Sequence, residues 1–196
     1  MDLATLLANK ELLDTLIEGV DATGTDLQDF EFESCTFKNV SLSSANLKKT
    51  RFTECIFQDC DLSNVKIDGA RLWGCTFRSC KMLGIQWVQL DTLMNPSFDS
   101  CNLTMSNFLG LKLKKTSFAE SVLRDVDFEQ ADLSESNFRG CDLRDTKFLR
   151  SNLSKSDFRG AINYMINPIE NKVQGAHFSM GESHGLLSGL GIKLSL

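Results

Sequence analysis

Seven cysteines, at positions 35, 55, 60, 75, 80, 101 and 141 of this 196-residue chain, have the widest choice of chemistry among its side chains. Thiolates can hold a metal, pair as disulfides or act as nucleophiles. Their spacing favours none of the three. No Cys-x-x-Cys occurs, and tetrahedral zinc needs four converging ligands. An odd number of cysteines does not make a disulfide framework. The two histidines, His177 and His184, have no nucleophile set beside them by any motif. Acid pairs such as Asp142 and Asp145 read as solvated charge, and glycine-rich phosphate loops and carboxylates at metal spacing are absent. These residues point to no catalytic group, no metal and no cofactor, so the chain is read as a non-enzyme.

What the cysteines share is a position in a repeat. Residues 128–160 read FEQADLSESNFRGCDLRDTKFLRSNLSKSDFRG, with Phe128, Leu133, Phe138, Leu143, Phe148, Leu153 and Phe158 spaced by five. Helices repeat every 3.6 residues and half-buried strands every 2, so a period of five is neither. Calling the Phe or Leu of each unit i, the register runs back to Leu27 with one extra residue, placed near Leu93-Met94-Asn95 after an inward Thr92. Position i−2 is small, and all seven cysteines stand there. Two residues apart in extended chain is the same face, so each unit points one large and one small side chain inward. Buried free thiols then act as small apolar side chains.

Units that place two residues inward must turn after each unit, and the chain coils on itself. Sorting the centres every 20 residues gives a column of pure phenylalanine: Phe37, Phe57, Phe77, Phe98, Phe118, Phe138 and Phe158. That sorting predicts four sides per coil. About seven coils at roughly 4.8 Å make a rod about 30–35 Å long with a dry, solid interior.

The ends break the register. Leu3, Leu6, Leu7, Leu12, Leu13, Leu16 and Ile17 follow helical spacing, which predicts a helix over 3–18 as a cap within residues 1–24. Residues 25–163 form the coil, and 164–196 hold a loop, one last in-register unit at Ala176–Phe178, a helix and a short strand, IKLSL. Ser179 and Glu182 suggest a capping box for that helix. Around the extra residue, Trp73, Leu83, Val88, Leu93, Met94, Met105 and Leu109 occupy outward positions, followed by Lys112, Lys114 and Lys115. An apolar girdle of this kind on a rod is a candidate partner surface.

Charge and hydropathy exclude other classes. The net charge is −5, and residues 1–60 carry eleven acids against five bases, while the rest of the chain is near balance. No dense basic stripe suits nucleic acid. No apolar run reaches the roughly 18 residues of a membrane span. The N-terminus has neither a basic stretch nor a small-residue cleavage site, so a cytoplasmic protein is expected.

The units CDLSN, ADLSE, SNFRG and CDLRD resemble the pentapeptide-repeat family, whose motif is A(D/N)Lxx. The resemblance implies an all-β solenoid, a right-handed quadrilateral β-helix. The segment LLSGLGIKL is similar to the ending of the quinolone-resistance members. That likeness implies a tail-to-tail homodimer through Leu186, Leu187, Leu190, Ile192 and Leu194. It also implies a protein partner, DNA gyrase or topoisomerase IV, bound by a rod that imitates DNA. Against this stand the near-neutral rod after residue 60 and a register without long loop insertions. The alternative is a scaffold or interaction module for an unrelated bacterial protein.

Overall fold

The computed structural model describes residues 3–192 and shows a parallel β-solenoid of about eight turns with short terminal helices. Each five-residue unit turns at position i+2, where the backbone enters the left-handed region. Asp29, Ser34, Asn39 and Ser44 all have φ between 50° and 62° there, and Gly69 and Gly74 take the same place. That need suits the Asn, Asp and Gly found at i+2, since the first two tolerate the conformation and glycine adopts it without strain, and residues such as Lys49, Glu54 and Arg150 are held in it by the coil.

Successive coils are joined by backbone ladders twenty residues apart. On the first face β1 (Glu11–Leu13), β3 (Glu31–Glu33), β5 (Arg51–Thr53), β7 (Arg71–Trp73) and β9 (Thr92–Met94) make a five-stranded parallel sheet in that order. On the second, β2 (Leu16–Glu18), β4 (Thr36–Lys38), β6 (Ile56–Gln58), β8 (Thr76–Arg78) and β10 (Ser97–Asp99) make another. The third and fourth faces, and most of the later coils, are held by single-residue bridges such as Asp61↔Lys81 and Asp127↔Lys147. The phenylalanines of one column stack from Phe37 to Phe178, with centroids 4.6 Å apart at Phe37–Phe57 and 5.4 Å at Phe98–Phe118. Rings of the neighbouring columns meet them edge-on, as Phe118 meets Phe128 at 72°. Offset stacks and edge contacts are the favoured aromatic geometries, so both directions in the core add attraction to area burial.

The inward cysteines are buried and free. Cys55 donates its thiol to the Phe32 carbonyl at 3.4 Å, 23 residues back, as Thr50 Oγ1 donates to Leu27 at 2.8 Å and Ser136 Oγ to Leu113 at 2.7 Å. Cys, Ser and Thr therefore do one job at i−2: each fills the corner and satisfies a donor against the preceding coil. Burial pushes the thiols of Cys75 and Cys141 up to about 12, far from the thiolate that metal binding or attack requires.

Three expectations need correction. The N-terminal helix, α1, is only Leu3–Ala8, and Leu12 and Ile17 are instead buried centres of β1 and β2. Their spacing of five continues the repeat, so the solenoid begins at about residue 11, well before residue 25. The capping box does not form. Ser179 Oγ accepts the Gly160 N–H at 2.9 Å, Met180–Glu182 is a 3-10 turn, and helix α2 is His184–Gly189. The extra residue also lies earlier than expected. It is taken up around the 3-10 turn Trp87–Gln89, because Leu72 pairs in register with Leu93 and Trp73 with Met94. Leu93 is thus the inward centre and Thr92 an outward residue.

At the C-terminal end the chain leaves the register after Asn163 and returns at Lys172, which bridges to Asn152. His177–Phe178 (β12) pairs with Asp157–Phe158 (β11). Helix α2 rests on this end through its glycines. A Cβ at Gly185 would lie 2.2 Å from the Tyr164 carbonyl oxygen, and one at Gly189 would lie 2.3 Å from that of Ile166. Only hydrogen fits, so Gly185-x-x-x-Gly189 is the docking face of the helix. Leu194 and, apart from Ile192, the strand expected at IKLSL lie outside the described residues.

Candidate functional site

Among the described residues the interior is filled with side chains. Its void among Leu47, Phe52, Ile67, Leu72 and Trp87 holds about 20 Å³, too small for more than a water molecule. Among the described residues no cluster of His, Cys, Asp and Glu could hold a metal, and no helix is long and apolar enough to cross a membrane. Function must be sought on the outside.

The first face carries a shallow trough along the rod. Its largest part, about 550 Å³, is lined by Arg51, Phe52, Thr53, Arg71, Trp73, Asp91, Thr92 and Met94. A second depression, of about 480 Å³, continues it toward Glu11, Leu13, Glu31 and Glu33, a third, of about 380 Å³, runs along the corner by Asp29, Lys49 and Gly69, and Arg51 borders all three. Trp73 and Met94 stand along it at i+1 of successive coils. Trp73 is 56% exposed and Met94 47%, side by side on neighbouring coils. Arg51 pairs with Glu31 at 2.6 Å, and Arg71 with Asp91 at 2.8 Å.

The remaining girdle residues do not join this pair. Val88 and Leu109, both exposed, stack on the fourth face, where Gln86 bridges to Asn107. Met105, 65% exposed, stands at the corner before them. Leu83 is half-buried on the third face, and Leu93 packs against the core. The expected ring therefore resolves into two separate pairs, and Leu93 is withdrawn from the surface. Its inward place was hidden because Thr92, Leu93 and Met94 can each follow Trp87 in a slipped register.

Beside the trough the coil-to-coil ladder is interrupted. Along the first face residue i+2 of one coil donates to the next, as Ser34 does to Thr53 at 2.9 Å, Gly74 to Met94 at 2.9 Å and Lys115 to Ser134 at 2.9 Å, and Leu113 at position i donates to Asp132 at 2.7 Å. Among the described residues, no backbone hydrogen bond or bridge joins 92–95 to 112–114. β9 is thus the last strand of its sheet, directly after the coil that takes up the inserted residue. The seam is narrow, however: Phe98–Phe118 and Trp87–Phe108 on either side still stack at 5.4 and 5.3 Å. No strand could enter it.

The candidate dimer segment is partly seated. Leu186 packs against the core and Leu187 is half-buried, while Leu190 and Ile192 are exposed at the rod's end with Met165, Ile169 and Met180.

A stacked-Phe solenoid of five-residue units can now be set beside known proteins. A family model described as "Pentapeptide repeat region" matches residues 30–94 and 92–158. The chain belongs to the pentapeptide-repeat family. Among solved structures it is similar to a trypsin-treated variant of QnrB1, a plasmid-mediated fluoroquinolone resistance protein, at 21% identity and a TM-score of 0.61. That alignment covers 94% of this chain and 90% of the QnrB1 chain. It is also similar to HetL, a pentapeptide-repeat protein involved in heterocyst differentiation regulation in the cyanobacterium Nostoc sp. strain PCC 7120. There the identity is 16% and the TM-score 0.52, over 90% and 92% of the two chains. At these identities the likeness establishes the fold. Among curated proteins no match is found.

Proposed function

We propose that this pentapeptide-repeat protein is a non-catalytic, cytoplasmic protein-binding rod that engages its partner through the first face. One observation carries the reading: Trp73 and Met94 stand exposed together over a trough of about 550 Å³, on a rod whose interior is filled. Exposed aromatic and methionine side chains beside arginines are the composition of binding hot spots.

Type II topoisomerase is the partner that the likeness to QnrB1 supports. The acids bear on where it would bind. Among the described residues, Glu11, Asp14, Asp21, Asp26, Asp29 and Glu33 form no ion pair in the first coils. Beyond them some acids are matched by bases on neighbouring coils, as in Lys48–Asp68, Lys81–Asp61 and Arg139–Asp157, while others, such as Glu54, Asp59, Asp125 and Glu129, are in no ion pair among the described residues. The net negative charge is concentrated in the first sixty residues, where eleven acids face five bases. The test is gyrase supercoiling with and without ciprofloxacin. Inhibition or protection that is lost in Trp73→Ser/Met94→Ser supports the reading, and neither effect at micromolar protein removes topoisomerase as the partner.

The exposed Leu190 and Ile192 favour self-association at the rod's end as part of the same reading. Sedimentation of Leu190→Asp/Ile192→Asp should give monomer where the wild type gives dimer. A wild-type monomer would remove that part.

A further inference from the structure

We infer that the first-face trough is a receptor for a partner's amphipathic α-helix of about 14 residues, acidic in its first turn, apolar at its centre and basic in its last turn. This rests on the reading of the rod as a protein-binding surface and names the partner's chemistry.

The secondary structure of the occupant follows from the trough's floor. An extended segment adds to a sheet by bonding a free edge. Here the trough runs across β1, β3, β5, β7 and β9, whose backbones are already paired coil to coil. The seam beyond β9 is too narrow to admit a strand, as the stacked rings on both sides show. A segment lying along the trough finds no ladder to join and must satisfy its own backbone bonds. A helix does so.

Charge sets its direction. Two coils before Trp73, about 10 Å at the usual strand spacing, stands Glu33, with Glu11 in the same region of the face; both are in no ion pair among the described residues, whereas Glu31 between them is paired with Arg51. Two coils after it stand Lys112 and Lys114, joined at the corner by Lys115. Lys114 and Lys115 share Glu135, and Asp132 lies beside Lys112 and Lys114, so the three lysines face two acids and keep an excess of one positive charge. The apolar pair lies between the two ends. A complementary helix puts its acids over the lysines and its bases over the glutamates. Acids in a first turn and bases in a last turn are also what the helix dipole favours, so one orientation satisfies both demands. The distance between the charged ends, about 20 Å, equals about 14 residues of helix.

The experiment uses a fluorescein-labelled helical probe of about 14 residues with two glutamates in its first turn, Leu and Phe on one face, and two lysines in its last turn. A second probe exchanges the glutamates and lysines. Anisotropy with the full chain should show the first probe binding at least tenfold more tightly than the second. Trp73→Ser should weaken it at least tenfold, and Glu33→Lys/Lys114→Glu should reverse the preference. Unshifted emission from the buried Trp87 in the Trp73→Ser variant confirms that the fold survives. Equal binding of both probes, or binding unaffected by Trp73→Ser, overturns the inference. No probe binding, while a topoisomerase effect is still lost in Trp73→Ser/Met94→Ser, overturns the helix and leaves the protein-binding rod standing.

Discussion

Coils one to five and coils six to eight follow the same repeat but are built differently. The first five carry three-residue strands on two faces, whereas the later coils are joined mostly by single-residue bridges. The difference lies at the inward corner. Where Ser, Thr or Ala stands at i−2, its amide usually donates to the carbonyl three residues back and closes a turn, as at Thr116, Ala131, Ser136 and Ser151. Where Cys, Val or Ile stands there, that bond is generally missing, as at Cys35, Val40, Cys55, Cys75 and Ile85. Width alone does not decide it: Cys141, Phe30 and Leu111 close at 3.2, 3.3 and 3.1 Å, while Thr15 stays open. The corners between the paired three-residue strands, at Thr15, Cys35, Cys55 and Cys75, are the open ones, so an open corner goes with strand and a closed one with turn.

Deleting a ring from the central column should have the largest effect. Phe57→Ala in the open half and Phe118→Ala in the closed half should each cost about 3–5 kcal/mol in urea denaturation, because both rings are sandwiched in the stack. A markedly smaller loss in one half would show that its stack is loosely packed.

Exchanging corner residues should come next. Ser136→Val removes the donor to Leu113 in the closed half, at a cost of about 1–2 kcal/mol. Cys55→Ser should cost less than about 1 kcal/mol, since a hydroxyl can donate to the Phe32 carbonyl as the thiol does. Equal losses would break the link between side chain and corner.

Acid separates the halves more gently. The Arg159 guanidinium, hydrogen-bonded to Asp157, holds that carboxyl down at about 2. Asp132, Glu135 and Asp142, also in the later coils, are lowered too, against Asp21 and Asp61 in the earlier ones. A depressed carboxylate gives stability that is present above its unfolded value, about 3.9 for aspartate, and is lost as pH falls toward the folded one. The later coils should therefore loosen first between about pH 4 and about pH 2. Asp157→Asn should flatten that dependence in a pH series of thermal melts, and an unchanged slope would assign it elsewhere.

Much of this was legible in the chain. The all-Phe column, the four sides and the shared place of the cysteines follow from counting by five, because burial repeats with the coil. The first coils were not legible as such, since Leu12 and Ile17 fit helical spacing and the five-residue period equally. The slip was misplaced because Thr92, Leu93 and Met94 present several plausible centres, and only ladder pairing chooses Leu93. Ser179 matches a capping sequence, yet its hydroxyl is engaged across the coil by Gly160. The trough was invisible for a related reason: Arg51, Trp73 and Asp91 meet only because the coil brings distant units together.

The two halves meet at the seam beside Trp73 and Met94, so residue-resolved hydrogen exchange there tests the account most directly. The Leu93 and Asn95 amides should exchange at least a hundredfold faster than those of Leu113 and Lys115, their equivalents one coil later. Equal protection at all four would mean that the ladder is continuous and the rod undivided.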